Sequence, residues 1–281
     1  MSKIKSSFLA KRTKDEMGFY LNRIFGNEEA AEFDPFLLLD YVEGNSEVVK
    51  KGYPWHPHKG IETVTYLTKG SATYKNSLGH EGELHPFDVE WITAGKGIYH
   101  QMIPKTEDPS IEGFKLWINM PAIRKGQDPV YQAFKMGDLK HINKDGKHVK
   151  LISGSYEDET GPVEKSDLDV LLMDVELWQD NHIQIMRNPM KNGFIFIYQG
   201  YGVINEEDYM NPLMAYNLES GLLDIRSTSS ESLRFIFAEA YPVDEPIAWK
   251  GPIVMNTYKE LIETFKDIEM ERFIERDVSK K

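Results

Sequence analysis

The sequence contains no cysteine among its 281 residues. This excludes disulfide bonds, thiolate zinc sites, iron–sulfur clusters and cysteine nucleophiles, so any metal would be held by histidine and carboxylate side chains. Apolar runs are short, and none approaches the roughly 18 residues that a membrane-spanning helix requires. The opening segment MSKIKSSFLAKR has no continuous apolar core of the kind that a secretory signal needs. We therefore expect a cytoplasmic protein that does not bind membranes.

The sequence has fewer basic than acidic residues. The chain has 33 Lys and Arg against 45 Asp and Glu, which gives a formal net charge of −12 at pH 7. A chain this acidic repels phosphate backbones unless a local basic patch overrides the average, so we expect no direct binding of nucleic acid. An acidic surface would suit a basic protein partner, although solubility alone also accounts for it.

Helical periodicity is scarce, whereas glycine and proline separate short β-branched and aromatic segments. This pattern predicts an all-β fold. Strands are expected at Ile61–Thr68, Ser71–Lys75, Phe87–Thr93, Phe114–Asn119, Val170–Leu177, Gly193–Tyr198, Leu222–Ser227 and Leu233–Glu239. The exception is Tyr258–Phe273, where apolar residues recur at helical spacing after the capping candidates Asn256 and Thr257. That segment predicts a single C-terminal helix.

An internal similarity indicates duplication. The string YLTKGSATY around Gly70 resembles IYQGYGVIN around Gly200, and each predicts a strand, a glycine turn and a returning strand. Two short hairpins can also look alike by chance. The segment Arg124–Val163 is richer in Lys, Asp, Gly and Pro than its flanks and predicts a junction. We expect an N-terminal domain at 1–135, and a C-terminal domain at 136–281 that ends in the helix.

The histidines are unevenly distributed, because five of the eight lie in the first 100 residues. In WHPHKGIETVTY, His56 and His58 have i, i+2 spacing, which places both imidazoles on one face of an extended chain. Glu62 has the same parity and would share that face if the strand ran unbroken past the intervening glycine. His100 follows a later glycine turn, and a strand that paired beside the first would add it as a third imidazole.

Three neutral imidazoles, with or without one carboxylate, suit a divalent ion such as Fe(II), Mn, Co, Ni or Zn and leave positions for water, substrate or dioxygen. The ligand types alone do not select among these metals. A lone HxH pair is more often coincidental or structural, but the spaced glutamate, the glycine turn and the later histidine together favour a metal site. We interpret the remaining histidines as surface, solvated or core groups: His80, His85, His141, His148 and His182.

These residues resemble the two motifs of the cupin superfamily, which are represented here by Gly52, His56, His58, Glu62, Gly70, Pro86, Gly97 and His100. The strings FDPFLLLDY, HPHKGIETVTYLTKG, EWITAGKGIYH, LWINMP and GPIVMNT are similar to the pirin family in particular, and they extend from Phe33 to Thr257. The resemblance implies a bicupin with two tandem cupin barrels of the double-stranded β-helix, or jelly-roll, type and a metal in the N-terminal barrel only. Gly70 and Gly200 are 130 residues apart. The positions 130 residues after His56, His58 and Glu62 are occupied by Met186, Asn188 and Asn192. We therefore expect a structural or interfacial role for the second barrel.

The metal ligands of pirins carry over only in part. Pirins typically hold iron with the two histidines of HPH, one later histidine and a glutamate two residues beyond it. The first three correspond to His56, His58 and His100, but Met102 occupies the position of the glutamate. The resemblance implies Fe(II), and the thioether implies a weak or altered site. Three outcomes stay open: completion of the site by water, completion by Glu62, or a weak site that is often empty.

The resemblance implies three alternative functions. The first is a dioxygenase similar to quercetin 2,3-dioxygenase, in which His56, His58 and His100 hold the metal and Glu62 acts as the catalytic base on a small aromatic, flavonol-like substrate. The second is a regulatory protein whose metal responds to redox state and which binds a transcription regulator or a metabolic enzyme. The third is a degenerate cupin without catalysis. Candidates for apolar pocket walls are Phe36, Trp55, Trp91 and Trp117.

Overall fold

The structure is a computed structural model that describes residues 1–14, 20–44, 52–105, 110–164 and 166–274. Its regular structure is almost entirely β-strand, with one longer helix near the C-terminus. The all-β prediction is confirmed. Within the described ranges, no helix combines the length and the apolar character needed to cross a membrane.

The strands follow one another along the chain with short connections. Those before the HxH motif are β1 (Ile4–Leu9), β2 (Lys11–Lys14), β3 (Tyr20–Phe25) and β4 (Phe36–Gly44), with the single helical turn α1 (Ala30–Phe33) between β3 and β4. The next are β5 (Tyr53–His58), β6 (Ile61–Lys69), β7 (Ala72–Asn76), β8 (Glu81–Leu84), β9 (Val89–Thr93), β10 (Ile98–Pro104), β11 (Ile111–Asn119) and β12 (Val130–Phe134).

The second half of the chain continues in the same way. Its strands are β13 (Lys140–Lys144), β14 (Lys147–Ser153), β15 (Ser155–Tyr156), β16 (Glu159–Thr160), β17 (Leu171–Trp178), β18 (His182–Arg187), β19 (Asn192–Gln199), β20 (Gly202–Ile204), β21 (Asp208–Met210), β22 (Met214–Leu218), β23 (Gly221–Ser227), β24 (Ser232–Ala240), β25 (Ala248–Lys250) and β26 (Ile253–Met255). Helix α2 (Tyr258–Glu269) follows. Each strand predicted from the sequence overlaps one of these strands.

The chain forms two compact units. The first unit comprises Met1–Thr13, Leu21–Tyr41 and Phe134–Pro242, and the second comprises Lys14–Tyr20, Val42–Ala133 and Val243–Lys281. This division differs from the contiguous domains 1–135 and 136–281 expected from the sequence. The physical reason is strand pairing: β1 pairs antiparallel with β22 of the first unit, and the hairpin of β25 and β26 belongs with α2 to the second unit.

The first unit has a seven-stranded sheet in the order β1-β22-β19-β24-β17-β14-β13 and a four-stranded sheet in the order β18-β23-β20-β21. A single cluster of buried Ile, Leu, Val, Phe, Met and Tyr side chains draws on strands of both sheets. Met186, one of the residues at the repeat offset from the HxH motif, is 71% exposed. The hydrophobic cluster contains no histidine, and the unit also buries the ion pair of Lys150 with Asp174.

The internal similarity around Gly70 and Gly200 is present in the backbone. Gly70 joins β6 to β7 with a φ of 75°, and Gly200 joins β19 to β20 with a φ of 77°. Positive φ values of this size are readily adopted only by glycine. The two units therefore use the same glycine turn at corresponding places in the chain.

The second unit contains the histidine motif. One of its sheets has the order β5-β10-β7-β8, and β6 pairs antiparallel with β9 on one side and with β11 on the other. The two histidines of HxH lie on β5, and the third predicted ligand lies on the neighbouring β10. The strand pairing on which the sequence prediction depended is thus present.

The C-terminal segment of the second unit lies beside the HxH motif. Lys59 and Ile253 form a parallel bridge, and the backbone N–H of Val254 donates to the Lys59 carbonyl oxygen at 3.1 Å. Thr257 caps α2 as predicted, through a reciprocal capping box. The helix ends before the predicted limit, because Glu271 has a φ of 56°, which is incompatible with helix continuation.

Gly60 forms the tight connection between β5 and β6. Its φ is 76°, and a Cβ atom added there would meet the carbonyl oxygen of Val254. Its N–H donates to the Gly95 carbonyl oxygen at 3.0 Å. The turn therefore requires glycine both for its backbone conformation and for the close approach of the C-terminal segment.

We expect the substitution Gly60→Ala to lower the free energy of unfolding by about 2 kcal/mol or more, since it combines left-handed strain with a backbone clash. The matched control is Gly126→Ala, because an added Cβ there meets nothing within 4 Å. Urea unfolding of the metal-free variants measures both effects. Equal stability of the two variants would contradict this role of Gly60.

Candidate metal centre

The antiparallel pairing of β5 with β10 brings the three histidines together. His56 lies opposite His100, and His58 lies opposite Ile98, in the strand register. The three imidazole-bearing residues are buried, with exposed fractions of 5%, 0% and 1% for His56, His58 and His100. The i, i+2 spacing in β5 places its two imidazoles on the same face, as the sequence predicted.

The three rings pack closely enough to share one ion. The ring centroids of His56 and His100 are 4.4 Å apart, those of His56 and His58 are 4.8 Å apart, and those of His58 and His100 are 4.9 Å apart. One nitrogen from each ring lies within 4.8 Å of the others. Among the described residues, these three histidines are the group whose ligand atoms lie close enough to hold a metal ion. The group contains no carboxylate.

The hydrogen bonds of the rings show how they would meet an ion. His56 Nδ1 lies 2.6 Å from the Pro54 carbonyl oxygen, and His58 Nδ1 lies 3.3 Å from the Pro252 carbonyl oxygen. We assign the ring hydrogens to these Nδ1 atoms, because a carbonyl can only accept. The two Nε2 atoms then face each other at 3.1 Å with lone pairs. Two facing lone pairs repel, and a cation between them removes the repulsion.

His100 supplies a further sign that the site fits a metal. Within the described part of the chain, neither of its ring nitrogens has a hydrogen-bond partner, although both are buried. A buried polar atom without a partner is costly, and coordination of an ion satisfies it. The donor set of three imidazoles therefore suits the intermediate divalent ions expected from the sequence.

Burial keeps the three imidazoles neutral. Desolvation is the main cause that lowers the pKa of His56 from 6.5 to about 3, and the nearby ammonium of Lys115 lowers it further. Desolvation likewise holds the pKa values of His58 and His100 well below 6.5, followed by the charges of the neighbouring histidines and of Lys115. Neutral imidazole is the form that binds metals. The site is thus ready for a cation without prior loss of protons.

Glu62 does not join the histidines. Its carboxylate accepts hydrogen bonds from Trp91 Nε1 at 3.1 Å and from Thr93 Oγ1 at 3.2 Å. Along β6, Glu62 alternates with Thr65, which lines the pocket beside His100, and so lies on the opposite face. The parity argument that grouped Glu62 with the HxH pair is wrong, because the chain turns at the glycine between β5 and β6 and the strand does not run on.

Glu90 is a carboxylate near the site that the sequence analysis missed. It is 1% exposed, and its Oε2 lies 3.9 Å from His100 Nδ1. Burial raises its pKa to about 7, against the opposing effects of the Lys115 ammonium and the Tyr131 hydroxyl. A glutamate within the otherwise uncharged strand VEWIT was the available signal, because a charged residue in a buried strand is rare.

Met102 lies on the same strand as His100, two residues on, and lines the same pocket. Its side chain is buried in an apolar cluster with Leu67, Ala72 and others. The position that the pirin pattern assigns to a glutamate is therefore occupied by a buried thioether with apolar surroundings. Such a group contributes no negative charge to the site.

The pocket beside His100 has a volume of about 670 Å³, its open mouth included. The centre of a water molecule can occupy about 60 Å³ of this space, which is well below the range of about 300–1,000 Å³ that is usual for small-molecule sites. Its walls are mainly apolar and include Leu67, Met102 and Phe114, and Lys115 also lines it. The cavity therefore places apolar side chains beside one of the three imidazoles.

The aromatic candidates for pocket walls have different places. Trp117 packs against His58 with ring centroids 5.3 Å apart. Trp91 is tied to Glu62, Phe36 packs against Phe194 in the first unit, and Trp55 is 48% exposed. The structure thus brings Trp117 to the histidine cluster and the other three to different surroundings.

The remaining histidines lie outside the cluster, as interpreted from the sequence. His80 and His85 are exposed groups of the second unit, and His85 is 3.2 Å from the Ser71 hydroxyl. His141 and His148 hydrogen-bond to each other at 2.9 Å in the first unit, and His182 is exposed.

We expect the metal-free protein to lose stability as pH falls below about 6.5. The unfolded chain takes up protons at its histidines near pH 6.5, whereas folded His56 stays neutral to about pH 3. Each such histidine lowers the free energy of unfolding by up to about 1.4 kcal/mol per pH unit. Glu90 acts in the opposite direction between about pH 7 and 4.5, since its folded form holds the extra proton.

Urea unfolding at pH 5 and pH 7 in the presence of a chelator measures this dependence. The variant His56→Asn should lose less stability between these pH values than the wild type. His182→Asn removes an exposed histidine outside the cluster and should behave as the wild type does. The same pH dependence in all three proteins would show that burial of the imidazoles is not its cause.

Comparisons with known proteins identify the family. Residues 18–118 match the Pirin family, and residues 172–274 match the Pirin C-terminal cupin domain. A pirin-like protein from Caulobacter vibrioides is 35% identical over 264 residues, which cover 93% of this chain and 95% of that protein. Pirin from Rattus norvegicus is 31% identical over 274 residues, with 94% and 91% covered.

A crystal structure described as quercetin 2,3-dioxygenase from Acinetobacter baumannii superposes with a TM-score of 0.88 at 28% identity. It covers 97% of this chain and 98% of that one. The two cupin domains predicted from the sequence are confirmed, and the histidine cluster is the candidate metal site of one of them. The chain belongs to the pirin family of cupins.

Proposed function

We propose that this protein is a metal-dependent dioxygenase that acts on a small aromatic, flavonol-like substrate. The observation that carries the proposal is the trio of neutral imidazoles of His56, His58 and His100, one of which lines an apolar pocket. Support also comes from the similarity to the structure described as a quercetin 2,3-dioxygenase. We propose Fe(II) as the ion, by analogy with the iron of pirins.

The protein residues have separable roles in this proposal. His56, His58 and His100 hold the ion, which supplies Lewis acidity and redox chemistry toward dioxygen. Two of the imidazoles, those of His56 and His58, are oriented before binding, because they lie against backbone carbonyl oxygens. The burial of all three keeps bulk water away from the substrate. The apolar pocket walls orient the flat substrate toward the cluster.

Glu90 takes a supporting role in this proposal. Metal-bound histidines commonly donate their second ring N–H to a carboxylate, which fixes the tautomer and raises the basicity of the ligand. Glu90 Oε2 lies 3.9 Å from His100 Nδ1, so a small side-chain adjustment brings the two within hydrogen-bond distance. Glu62 has no part in the proposed chemistry, because its carboxylate is held by Trp91 and Thr93.

Aerobic incubation of the iron-loaded protein with quercetin tests the proposal. We expect quercetin to disappear with the uptake of one dioxygen per quercetin, and the variant His56→Ala to lose both the metal and the turnover. The control is His85→Ala, which removes an exposed histidine of the same unit and should leave turnover unchanged. Elemental analysis of protein purified without an affinity metal accompanies the assay.

Other outcomes of the metal analysis and the quercetin assay would favour one of the two alternative functions. Stoichiometric metal without quercetin loss would contradict the dioxygenase and favour a protein that regulates a partner through its metal. Failure to retain metal after reconstitution would favour a cupin that has lost catalysis. Turnover that persists in His56→Ala would show that the histidine cluster is not the reactive site.

Met102 gives a second prediction about the metal. We expect Met102→Glu to raise the affinity for Fe(II) at least about tenfold, because a carboxylate beside His100 adds negative charge where the thioether has none. Met102→Gln is the matched control: it has the size of glutamate without the charge and should leave the affinity unchanged. Competition with a chromophoric chelator measures both.

Thermal unfolding separates this effect from simple damage to the apolar cluster. Met102→Glu should lower the melting temperature of the metal-free protein, since it buries a carboxylate, and should enlarge the increase that Fe(II) causes. The same Fe(II) affinity for the Glu and Gln variants would refute our account of the fourth position.

A further inference from the structure

Lys125 is a buried lysine that lies beside the histidine motif. It follows the short helical turn Ala122–Arg124, it is 3% exposed, and its Nζ donates to the Val254 carbonyl oxygen at 3.1 Å. A Cβ atom added at Gly60 would lie 3.1 Å from its Cδ, so the side chain runs along the turn between β5 and β6. Burial of an ammonium costs free energy, which the hydrogen bond to Val254 offsets in part.

Two carboxylates also act on the Lys125 ammonium. Desolvation lowers the pKa of Lys125 to about 8, and the charges of Glu245 and Glu260 oppose that shift. Glu245 in addition accepts hydrogen bonds from the Ala122 N–H at 2.7 Å and from Asn256 Nδ2 at 2.8 Å. The C-terminal segment is therefore attached to the turn that contains Lys125 by two separate contacts, one through Glu245 and one through Lys125.

The backbone of Val254 connects Lys125 to the histidine motif. Its carbonyl oxygen accepts from Lys125, and its N–H donates to the Lys59 carbonyl oxygen at 3.1 Å. Lys59 directly follows His58 in the sequence. Two residues before Val254, the Pro252 carbonyl oxygen lies 3.3 Å from His58 Nδ1. Lys125 thus holds the stretch of backbone whose carbonyl oxygen contacts the His58 ring.

The contact with Pro252 determines how His58 can bind an ion. A carbonyl oxygen can only accept, so it keeps the ring hydrogen of His58 on Nδ1 and leaves a lone pair on Nε2. Nε2 is the atom that faces His56 Nε2 at 3.1 Å. Without the carbonyl oxygen, the ring hydrogen would be shared between the two nitrogens, and part of the molecules would present an N–H to the ion instead of a lone pair.

We infer that Lys125 is a positioning residue of the metal centre: through the Val254 carbonyl oxygen it fixes the C-terminal segment, and that segment fixes the tautomer of His58. The inference rests on the proposed role of His58 as a metal ligand and is independent of the dioxygenase reaction. Lys125 acts through the backbone and makes no bond to the ion.

A lysine that acts only through its charge, or that only stabilises the fold, is the alternative. Removal of a positive charge near a cation site would raise the metal affinity or leave it unchanged, whereas loss of a positioning contact would lower it. A general loss of stability would lower the melting temperature without changing the tautomer of one histidine. The sign of the change in affinity and the tautomer of His58 therefore separate these possibilities.

The experiment measures the affinity for Zn(II) by competition with a chromophoric chelator, and the tautomer of His58 by NMR of the ring nitrogens in the metal-free protein. The His58 signals are assigned by their absence in His58→Asn. We expect the ring hydrogen on Nδ1 in the wild type, whereas Lys125→Met should show both tautomers and an affinity about tenfold lower. The contacts of Glu245 and the apolar packing of Ile253 and Met255 persist in this variant, so we expect it to fold.

A second lysine variant is the matched control. Lys250→Met removes an exposed lysine of β25, whose ammonium lies over the Phe265 ring, and should leave the affinity and the tautomer at their wild-type values. An unchanged or higher Zn(II) affinity in folded Lys125→Met, an unchanged tautomer of His58 in it, or equal losses in Lys250→Met would overturn the inference.

Hydrogen exchange of the wild type gives a test that does not depend on the folding of a variant. Because coupling between two sites is reciprocal, Zn(II) should slow exchange of the Val254 N–H about tenfold more than exchange of the Phe87 N–H, which lies between β8 and β9 and donates to the Leu67 carbonyl oxygen. Equal slowing at the two positions would contradict the role of the C-terminal segment. Failure of the quercetin assay would leave these measurements unaffected, so the two proposals fail separately.

Discussion

The antiparallel pairing of β5 with β10 is the interaction on which the candidate site depends. It sets His56 opposite His100 and thereby converts an HxH pair into a group of three imidazoles. Burial then removes the competing proton by lowering the pKa values of the rings. The tight turn at Gly60 completes the arrangement, because it ends β5 directly after His58 and lets the C-terminal segment place a carbonyl oxygen against that ring.

The sequence predicted the parts of the site that depend on local spacing. Alternation along one strand was enough to put His56 and His58 on the same face, and a returning strand was enough to suggest His100. Glu62 was assigned wrongly by the same rule, because the rule holds only while the chain stays extended. A left-handed glycine interrupts it here, so β5 and β6 have independent faces.

The parts that the sequence did not predict depend on pairing between distant segments. Glu90 and Lys115 lie on β9 and β11, and only the registers of these strands with β6 show that they share a row near His100. Which chain segments belong to each unit also depends on pairing between distant strands. The strands themselves were predicted from residue pattern, but the pairing of β1 with β22 joins the two ends of a long stretch of chain and has no local signal.

The balance of charge links the metal, the missing carboxylate and the proposed substrate. A divalent ion held by three neutral imidazoles brings two positive charges into a buried region; Lys115 adds one, ionised Glu90 removes one, and Met102 contributes none. An excess of buried positive charge is unfavourable until an anion joins it. In this scheme that anion comes from hydroxide or from the substrate at the open coordination positions. Because Met102 contributes no negative charge, an ion held by the three imidazoles would keep more of its positive charge, and this would favour hydroxide or another anion over a neutral molecule at the open positions.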